Sequence, residues 1–216
     1  MGIYTDRFLG CDPDTHACAI AVVDCTGTPV FVRVVRVEKR YKHMDAALAM
    51  SQNLALADYN LALADYSRNQ DNLLAFAVEG QEIVYSAAQG VNPRSMLPVA
   101  VVAGAALQRF THDWPEGCHT FSFPLPAQWK GQVPKQIHQA RLCSALGWTY
   151  ETVGDNPSDG YARPTEPEQY KNVLGANTLG KTDWKHVLDA IGLARYAREK
   201  YLYQQRVEAN RKAGAL

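Results

Sequence analysis

The sequence lacks a long apolar segment. No hydrophobic run approaches the roughly 20 residues that cross a bilayer, and residues 1–7 are polar, without the apolar centre of a signal peptide. We therefore expect no membrane partner and a cytoplasmic location, in a bacterium or a phage-infected host cell. Hydrophobic residues still make up 47% of the 216 residues and charged residues 20%. This composition predicts one globular domain over 1–216 with a full core.

Paired-cysteine motifs are also missing. The five cysteines are an odd number, and none lies in a C-x-x-C pair. Three of them fall on predicted core strands or at their ends. The pattern favours reduced, buried thiols over a zinc site or disulfides for this set, which is Cys11, Cys18, Cys25, Cys118 and Cys143.

Net charge is absent as well, because 22 Lys and Arg balance 22 Asp and Glu. Neutrality argues against nucleic-acid binding, but the distribution of charge argues for it. Residues 117–150 contain no acid, although Lys130, Lys135 and Arg141 lie there. Basic faces on a neutral protein can hold a polyanion. A second basic stretch comprises Arg33, Arg36, Lys39, Arg40 and Lys42.

Hydrophobic periodicity predicts an alternation of strands and helices. The strands are predicted at 7–12, 17–24, 30–37, 73–79 and 118–123, and the helices at 44–68, 95–110, 134–146 and 181–208. Short turns between the first three strands indicate an antiparallel meander. The whole order predicts an α/β fold with one mixed five-stranded sheet flanked by helices.

Two segments depart from this regular pattern. Residues 147–180 are rich in Gly, Pro, Asn and Asp, which predicts a long loop insertion, and 210–216 should be a frayed tail. The predicted first helix contains a tandem repeat of seven residues, Leu-Ala-Leu-Ala-Asp-Tyr-Asn at 54–60 followed by Leu-Ala-Leu-Ala-Asp-Tyr-Ser at 61–67. A seven-residue repeat keeps one stripe on one helix face. This indicates a packed core helix, with a dimer-forming helix or a duplication without a role as alternatives.

Three acids occupy unusually apolar surroundings. Asp12 ends the run that begins at Phe8, Glu79 closes the apolar run 73–78, and Asp189 follows His186 by one turn in the last helix. A buried carboxylate is costly unless it is paired, and a divalent cation can pair with several at once. Oxygen ligands suit Mg²⁺, with Mn²⁺ as a substitute. The pattern therefore predicts a metal-dependent phosphodiester enzyme.

The predicted topology brings these residues together. The first and fourth strands would be neighbours, so Asp12 and Glu79 would face each other, while His186 and Asp189 share a helix face. Such a group can hold two Mg²⁺ ions roughly 4 Å apart. Each residue also has a simpler interpretation. Asp12 can cap a turn, Glu79 can be a solvated strand end and His186 can be a surface residue, whereas a buried helical Asp without a function is uncommon.

Three short motifs resemble those of the RuvC family of Holliday-junction resolvases, in the ribonuclease H-like superfamily. Residues 8–15, Phe-Leu-Gly-Cys-Asp-Pro-Asp-Thr, resemble the first motif, 77–79 the strand that ends in Glu, and 186–190, His-Val-Leu-Asp-Ala, the third. The order of elements matches over roughly residues 7 to 200. The resemblance implies a homodimeric endonuclease that cuts branched DNA symmetrically with Mg²⁺. Its metal and catalytic residues would be Asp12, Glu79, His186 and Asp189.

The chain also departs from that family. Asp14 stands where the family has Gly, Cys18 and Ala19 replace Thr-Gly, and segment 147–180 is longer than usual. The net charge is less basic. These differences indicate a divergent branch and leave specificity for junctions open. Together with the loop Trp129-Lys130-Gly131, they indicate a phage or prophage origin.

The resemblance places basic residues of the loop 128–135 against the DNA backbone. Lys130 and Lys135 would contact phosphates, and Arg141 follows on the same predicted helix. Trp129 would either stack on a base or pack against the protein. Tyr85 lies shortly after Glu79, near where the family places a junction-stacking aromatic, but its offset differs, which favours a core role.

Other functions stay open. A ribonuclease H-like nuclease could act on flaps, Y-junctions or RNA with the same metal site. A catalytically silent nucleic-acid-binding scaffold would need the four polar residues to stay apart. An actin-like nucleotide-binding fold also begins with a strand, an Asp and a hairpin, but it requires further Gly-rich phosphate loops, and the sequence contains none.

Overall fold

The computed structural model describes residues 6–56, 72–80, 93–112, 120–156 and 160–214. The strands are β1 (Asp6–Asp12), β2 (Ala17–Asp24), β3 (Pro29–Arg36), β4 (Asn72–Val78), β5 (Thr120–Ser122), β6 (Tyr150–Val153) and β7 (Tyr161–Pro164). The helices are α1 (His43–Leu56), α2 (Pro93–His112), α3 (Pro126–Trp129), α4 (Lys135–Ala145) and α5 (Trp184–Lys212), with short 3₁₀ turns at Pro167–Gln169 and Ala176–Thr178.

Five strands form the central sheet in the order β3-β2-β1-β4-β5. The pairs β1–β2 and β2–β3 are antiparallel, as expected for strands joined by short turns, and β4 and β5 run parallel to β1. The mixed α/β sheet predicted from the sequence is thus confirmed, with β1 at its centre and β4 beside it.

Strand alternation divides the core between the two faces of this sheet. Phe8 and Ala21 belong to the apolar cluster that packs beneath α5, whereas Leu9 and Ile20 belong to the cluster beneath α1 and α2. Successive side chains on a strand point to opposite faces. Asp12 therefore continues the face of Phe8, which is the face that α5 covers.

Helix α5 lies unusually close to β1. At Gly10, any Cβ atom would collide with the backbone of Ala190 and Ala194. Only glycine allows this approach, because the obstacle is main chain and cannot move aside like a flexible side chain. The contact lies two residues before Asp12 and so fixes where the first turns of α5 stand relative to the end of β1.

Gly10→Ala should therefore destabilise the protein by about 3 kcal/mol or more, because β1 and α5 must separate. Gly104→Ala is the matched control. A Cβ at Gly104 meets nothing within 4 Å, so alanine there should stabilise helix α2 by about 0.5–1 kcal/mol. Urea unfolding of both variants measures the difference. Equal free energies of unfolding for the two variants would contradict the close contact between β1 and α5.

The prediction of a loop over 147–180 is wrong. Strands β6 and β7 form an antiparallel hairpin there, and Leu174 forms backbone hydrogen bonds to Val30 and Val32 of β3. Trp148 packs edge-on against Trp184, with ring centroids 5.9 Å apart. The many turn-forming residues mark the ends of short elements, and the aromatic packing that orders the segment leaves no periodic signal.

Some smaller predictions from the sequence also differ from the structure. Helix α5 continues to Lys212, past the predicted start of a frayed tail. Helix α1 is described as far as Leu56, and most of the tandem repeat lies in 57–71, outside the described residues. Cys11, Cys18 and Cys143 are buried free thiols, but Cys25 is exposed beyond the end of β2. Cys118 is outside the described residues. Across the described ranges, no helix is long and apolar enough to cross a membrane.

Candidate active site

Asp12 and Glu79 lie side by side at one edge of the sheet. Asp12 is the last residue of β1, and Glu79 directly follows β4. Cys11 pairs with Val78 in the parallel register, and the Glu79 N–H donates to the Cys11 carbonyl at 3.0 Å. The parallel pairing of β1 with β4 therefore extends one residue further, to Asp12 and Glu79. By alternation, both carboxylates point to the face covered by α5.

Helix α5 adds a histidine and a third carboxylate. Nδ1 of His186 lies 2.8 Å from Oδ2 of Asp12, and Asp189 follows one turn later on the same helix face. All four predicted residues are buried, with exposed fractions of 8% for Asp12, 7% for Glu79, 8% for His186 and 2% for Asp189. The structure thus brings the four together. Their catalytic roles stay predictions.

Two residues of α4 neutralise and orient Asp189. Nζ of Lys135 lies 2.5 Å from Oδ2 of Asp189. Gln139 donates from Nε2 to Oδ1 of Asp189 at 2.8 Å and to the Lys185 carbonyl at 2.7 Å, and its Oε1 accepts the Ala162 N–H at 3.1 Å. Gln139 is fully buried. Both oxygens of Asp189 therefore have a partner.

Gln139 was not predicted from the sequence. The available signal was its position on α4, one turn before the buried Leu142 and Cys143, where an apolar residue would continue the buried stripe. A polar residue on such a stripe needs a buried partner. The sequence could not show that the partner is Asp189, 50 residues later.

The carboxylates affect one another strongly. Burial, together with the charge of Asp12 and then of Asp189, raises the pKa of Glu79 to about 8, although Lys130 and Lys135 act in the opposite direction. Burial also raises the pKa of Asp12, but the hydrogen bond with His186 and the charge of Lys135 outweigh it, so the net shift is downward. At neutral pH the cluster therefore holds an ionised Asp12 beside a largely protonated Glu79.

Lys135 belongs to the same electrostatic cluster. Burial lowers the pKa of its ammonium group, but the charges of Asp189 and Asp12 outweigh this effect and give a net increase. Lys135 thus stays charged within a largely buried site. It supplies positive charge where the acids would otherwise repel one another.

The donor chemistry fits a divalent cation. Three carboxylates and one imidazole are ligands that Mg²⁺ or Mn²⁺ accepts. The pKa of Glu79 is raised first by burial and then by the charges of Asp12 and Asp189. Within the described ranges, however, no three acidic, histidine or cysteine side chains already have the arrangement of a metal site. Asp12 is bound to His186, and Asp189 to Lys135.

The predicted DNA-contacting residues lie in different settings. Trp129 packs edge-on against His138, with centroids 4.9 Å apart, and covers Gly192 of α5, where a Cβ would collide with its ring. Trp129 thus packs against the protein, which is the second of the two roles considered for it from the sequence. Nζ of Lys130 lies 5.1 Å from the Trp129 ring centroid. Arg141 is exposed on α4, and Tyr85 lies outside the described residues.

The pKa of Glu79 generates a prediction about stability. Between about pH 4.5 and 8 the folded protein retains a proton that the unfolded chain has released, so stability should fall as pH rises through this window. Glu79→Gln cannot ionise. In EDTA we expect its free energy of unfolding to match wild type near pH 5 and exceed it at pH 9, by an amount on the order of a few kcal/mol.

Thermal unfolding at pH 5, 7 and 9 tests this expectation. Glu208→Gln, on the exposed end of α5, controls for the loss of one carboxylate. Parallel pH curves for wild type and Glu79→Gln would contradict a raised pKa at Glu79.

Comparisons with known proteins identify the fold. No family model and no curated protein sequence matches the chain. A structure of Thermus thermophilus RuvC in complex with a Holliday junction substrate matches with a TM-score of 0.51 and 14% identity, over 92% of this chain and 96% of that chain. A second T. thermophilus RuvC structure matches over the same shares, with 14% identity and a TM-score of 0.48. The first match shows that the chain has a RuvC-like fold.

Proposed function

We propose that this chain is a metal-dependent endonuclease that hydrolyses phosphodiester bonds in branched DNA. The observation that carries the proposal is the meeting of Asp12, Glu79, His186 and Asp189 in one buried cluster at the sheet edge. Burying three carboxylates so close together costs stability. A cluster with strongly shifted pKa values is more typical of an active site than of a structural core.

The hydrogen bond between Asp12 and His186 defines one proton-handling group. An ionised Asp12 can only accept, so Nδ1 of His186 carries the hydrogen and donates it. In neutral His186, the other nitrogen, Nε2, is then unprotonated and can take a proton from water or return one to a leaving oxygen. Asp12 holds the ring in this tautomer.

The lysines supply positive charge for a phosphate. Lys130 and Lys135 both act on the pKa of Glu79 and Asp12, which places their charges near the carboxylates. A fixed ammonium group stabilises the charge that develops on phosphate oxygens during hydrolysis. Lys135 would exchange its bond with Asp189 for one with the phosphate.

The carboxylates of Asp12, Glu79 and Asp189 would hold the divalent ion, with Mg²⁺ the proposed species and Mn²⁺ a substitute. His186 would be a fourth ligand through Nε2 only in place of its proton-handling role, because Nδ1 is bound to Asp12. When bound, such an ion activates water and neutralises charge on the phosphate. The chain itself contributes the dry setting and the fixed positions of the donors. Because Glu79 is largely protonated at neutral pH, its participation requires the loss of a proton.

The choice of substrate rests on the fold neighbour, which is a RuvC bound to a Holliday junction substrate. We propose a four-way DNA junction as the substrate and a homodimer as the active form. Two symmetric incisions need two active centres related by a twofold axis. A cytoplasmic location stays a prediction from the sequence.

One observation favours a second candidate, a catalytically silent nucleic-acid-binding protein. Lys135 already neutralises Asp189, and in the part of the chain that the structure describes, no three donors stand ready for an ion. In this alternative the lysines would bind the backbone and the carboxylates would only stabilise them.

Cleavage of a synthetic four-way junction tests the proposal. Wild type should nick the junction with Mg²⁺ and lose activity in EDTA. Asp12→Asn and Asp189→Asn should each lower the rate by about a hundredfold or more while retaining junction binding. Asp155→Asn, an exposed acid in the β6–β7 turn, is the control and should cleave like wild type. Full activity of Asp12→Asn would refute the proposed active site.

A substrate panel then separates the alternatives. Cleavage of flaps, Y-junctions or RNA without cleavage of four-way junctions keeps the nuclease and changes its substrate. Binding without cleavage of any of these, with either Mg²⁺ or Mn²⁺, supports the silent binding protein.

A further inference from the structure

A basic pocket lies at the same edge of the sheet as the candidate active site. The β1–β2 turn, the connection between β3 and α1, and Pro98 of α2 line an open pocket of about 370 Å³. None of the described residues that line it is acidic. We name it the β3–α1 pocket, and its polar lining consists of Thr15, His16, Lys39, Tyr41, Lys42 and His43.

Two lysines of the pocket carry uncompensated charge. The same basic stretch of sequence contains Arg36, which is paired with the buried Asp183, and Arg40, which is 2.9 Å from Glu38. Lys39 and Lys42 are exposed, and among the described residues neither has an acidic partner. Arg36 and Arg40 thus pair with acids of the protein itself, whereas Lys39 and Lys42 line the pocket without such a partner among the described residues.

His16 connects the two loops that form the pocket. Its Nε2 lies 3.0 Å from the Tyr41 carbonyl, and its Nδ1 lies 3.0 Å from the Thr15 hydroxyl. A carbonyl oxygen can only accept, so Nε2 carries a hydrogen and donates. The His16 carbonyl in turn accepts the N–H of Val37 at 3.1 Å. These bonds fix the shape of the pocket before any ligand binds.

His43 completes the rim in an unusual conformation. Among described residues it is the non-glycine with a positive φ, at 48°. Non-glycine residues rarely adopt this left-handed region, and they do so where the surrounding structure requires it. The turn directs the chain from the pocket into α1.

Chain connectivity limits the distance between the pocket and Asp12. Thr15, which lines the pocket, follows Asp12 by only three residues. Three extended residues span at most about 11 Å, so the near rim of the pocket lies within about 11 Å of Asp12. Phosphates of one strand of a duplex advance about 3.4 Å each along the axis. The distance corresponds to a few nucleotides.

We propose that the β3–α1 pocket binds a backbone phosphate of the nucleic-acid substrate, a few nucleotides from the bond at the active site. The ammonium groups of Lys39 and Lys42, which have no acidic partner among the described residues, provide the donors that a phosphodiester accepts. The identification of a nucleic acid, rather than free phosphate, rests on the proposed function. The pocket would hold the strand in register without entering the chemistry.

The test is the salt dependence of binding to a four-way DNA junction in EDTA. Lys39→Ala/Lys42→Ala should weaken binding about tenfold or more at 0.1 M salt and lower the slope of log K against log salt by about one, because the pocket neutralises one phosphate. Arg211→Ala/Lys212→Ala removes the same charge at the far end of α5, where both side chains are exposed. This control should bind nearly like wild type.

The outcomes separate the pocket from the nuclease. If Lys39→Ala/Lys42→Ala has the slope of the control, or if wild type does not bind the junction, the inference is overturned. If inorganic phosphate raises the melting temperature of wild type but not of the lysine variant, while DNA binding is unchanged, the pocket takes free phosphate and the inference also fails. If the slope falls by about one but wild type never cleaves, the pocket stands and the nuclease proposal falls.

Discussion

The close packing of α5 on β1 is the constraint on which the site depends. Gly10 lets the backbone of α5 lie directly on the strand, and Asp12 follows two residues later. His186 and Asp189 stand in the first turns of the same helix, and His186 reaches Asp12 at the end of β1 at hydrogen-bond distance. Since β4 pairs in parallel with β1, Glu79 arrives at the same place. A larger residue at Gly10 would move two of the four side chains away from the others.

The negative charge of the buried acids at this edge of the sheet is balanced locally. Three buried carboxylates are tolerated because each has a different means of compensation. Asp12 has the imidazole of His186, Asp189 has Lys135 and Gln139, and Glu79 holds a proton. Each compensation is a hydrogen bond, an ion pair or a bound proton. Under the proposed function, a divalent cation and a phosphate would replace them.

Much of this arrangement was predictable from local patterns. Apolar runs that end in an acid predicted where Asp12 and Glu79 lie, and the meander followed by β4 predicted that their strands are neighbours. Two features were not predictable. The bond between Lys135 and Asp189 joins two helices whose relative placement follows from packing. The hairpin in 147–180 is ordered by Trp148 and Trp184, while its local composition is that of a loop.

The most direct measurement of the central claim is calorimetric titration of the protein with Mn²⁺ at pH 7, in two buffers with different ionisation enthalpies. The account predicts saturable binding that releases protons, because Glu79 is largely protonated before the ion binds. Glu79→Gln should remove the proton release, and Asp12→Asn should weaken binding strongly. Absence of Mn²⁺ binding to wild type, or equal binding by Asp12→Asn, would contradict the account.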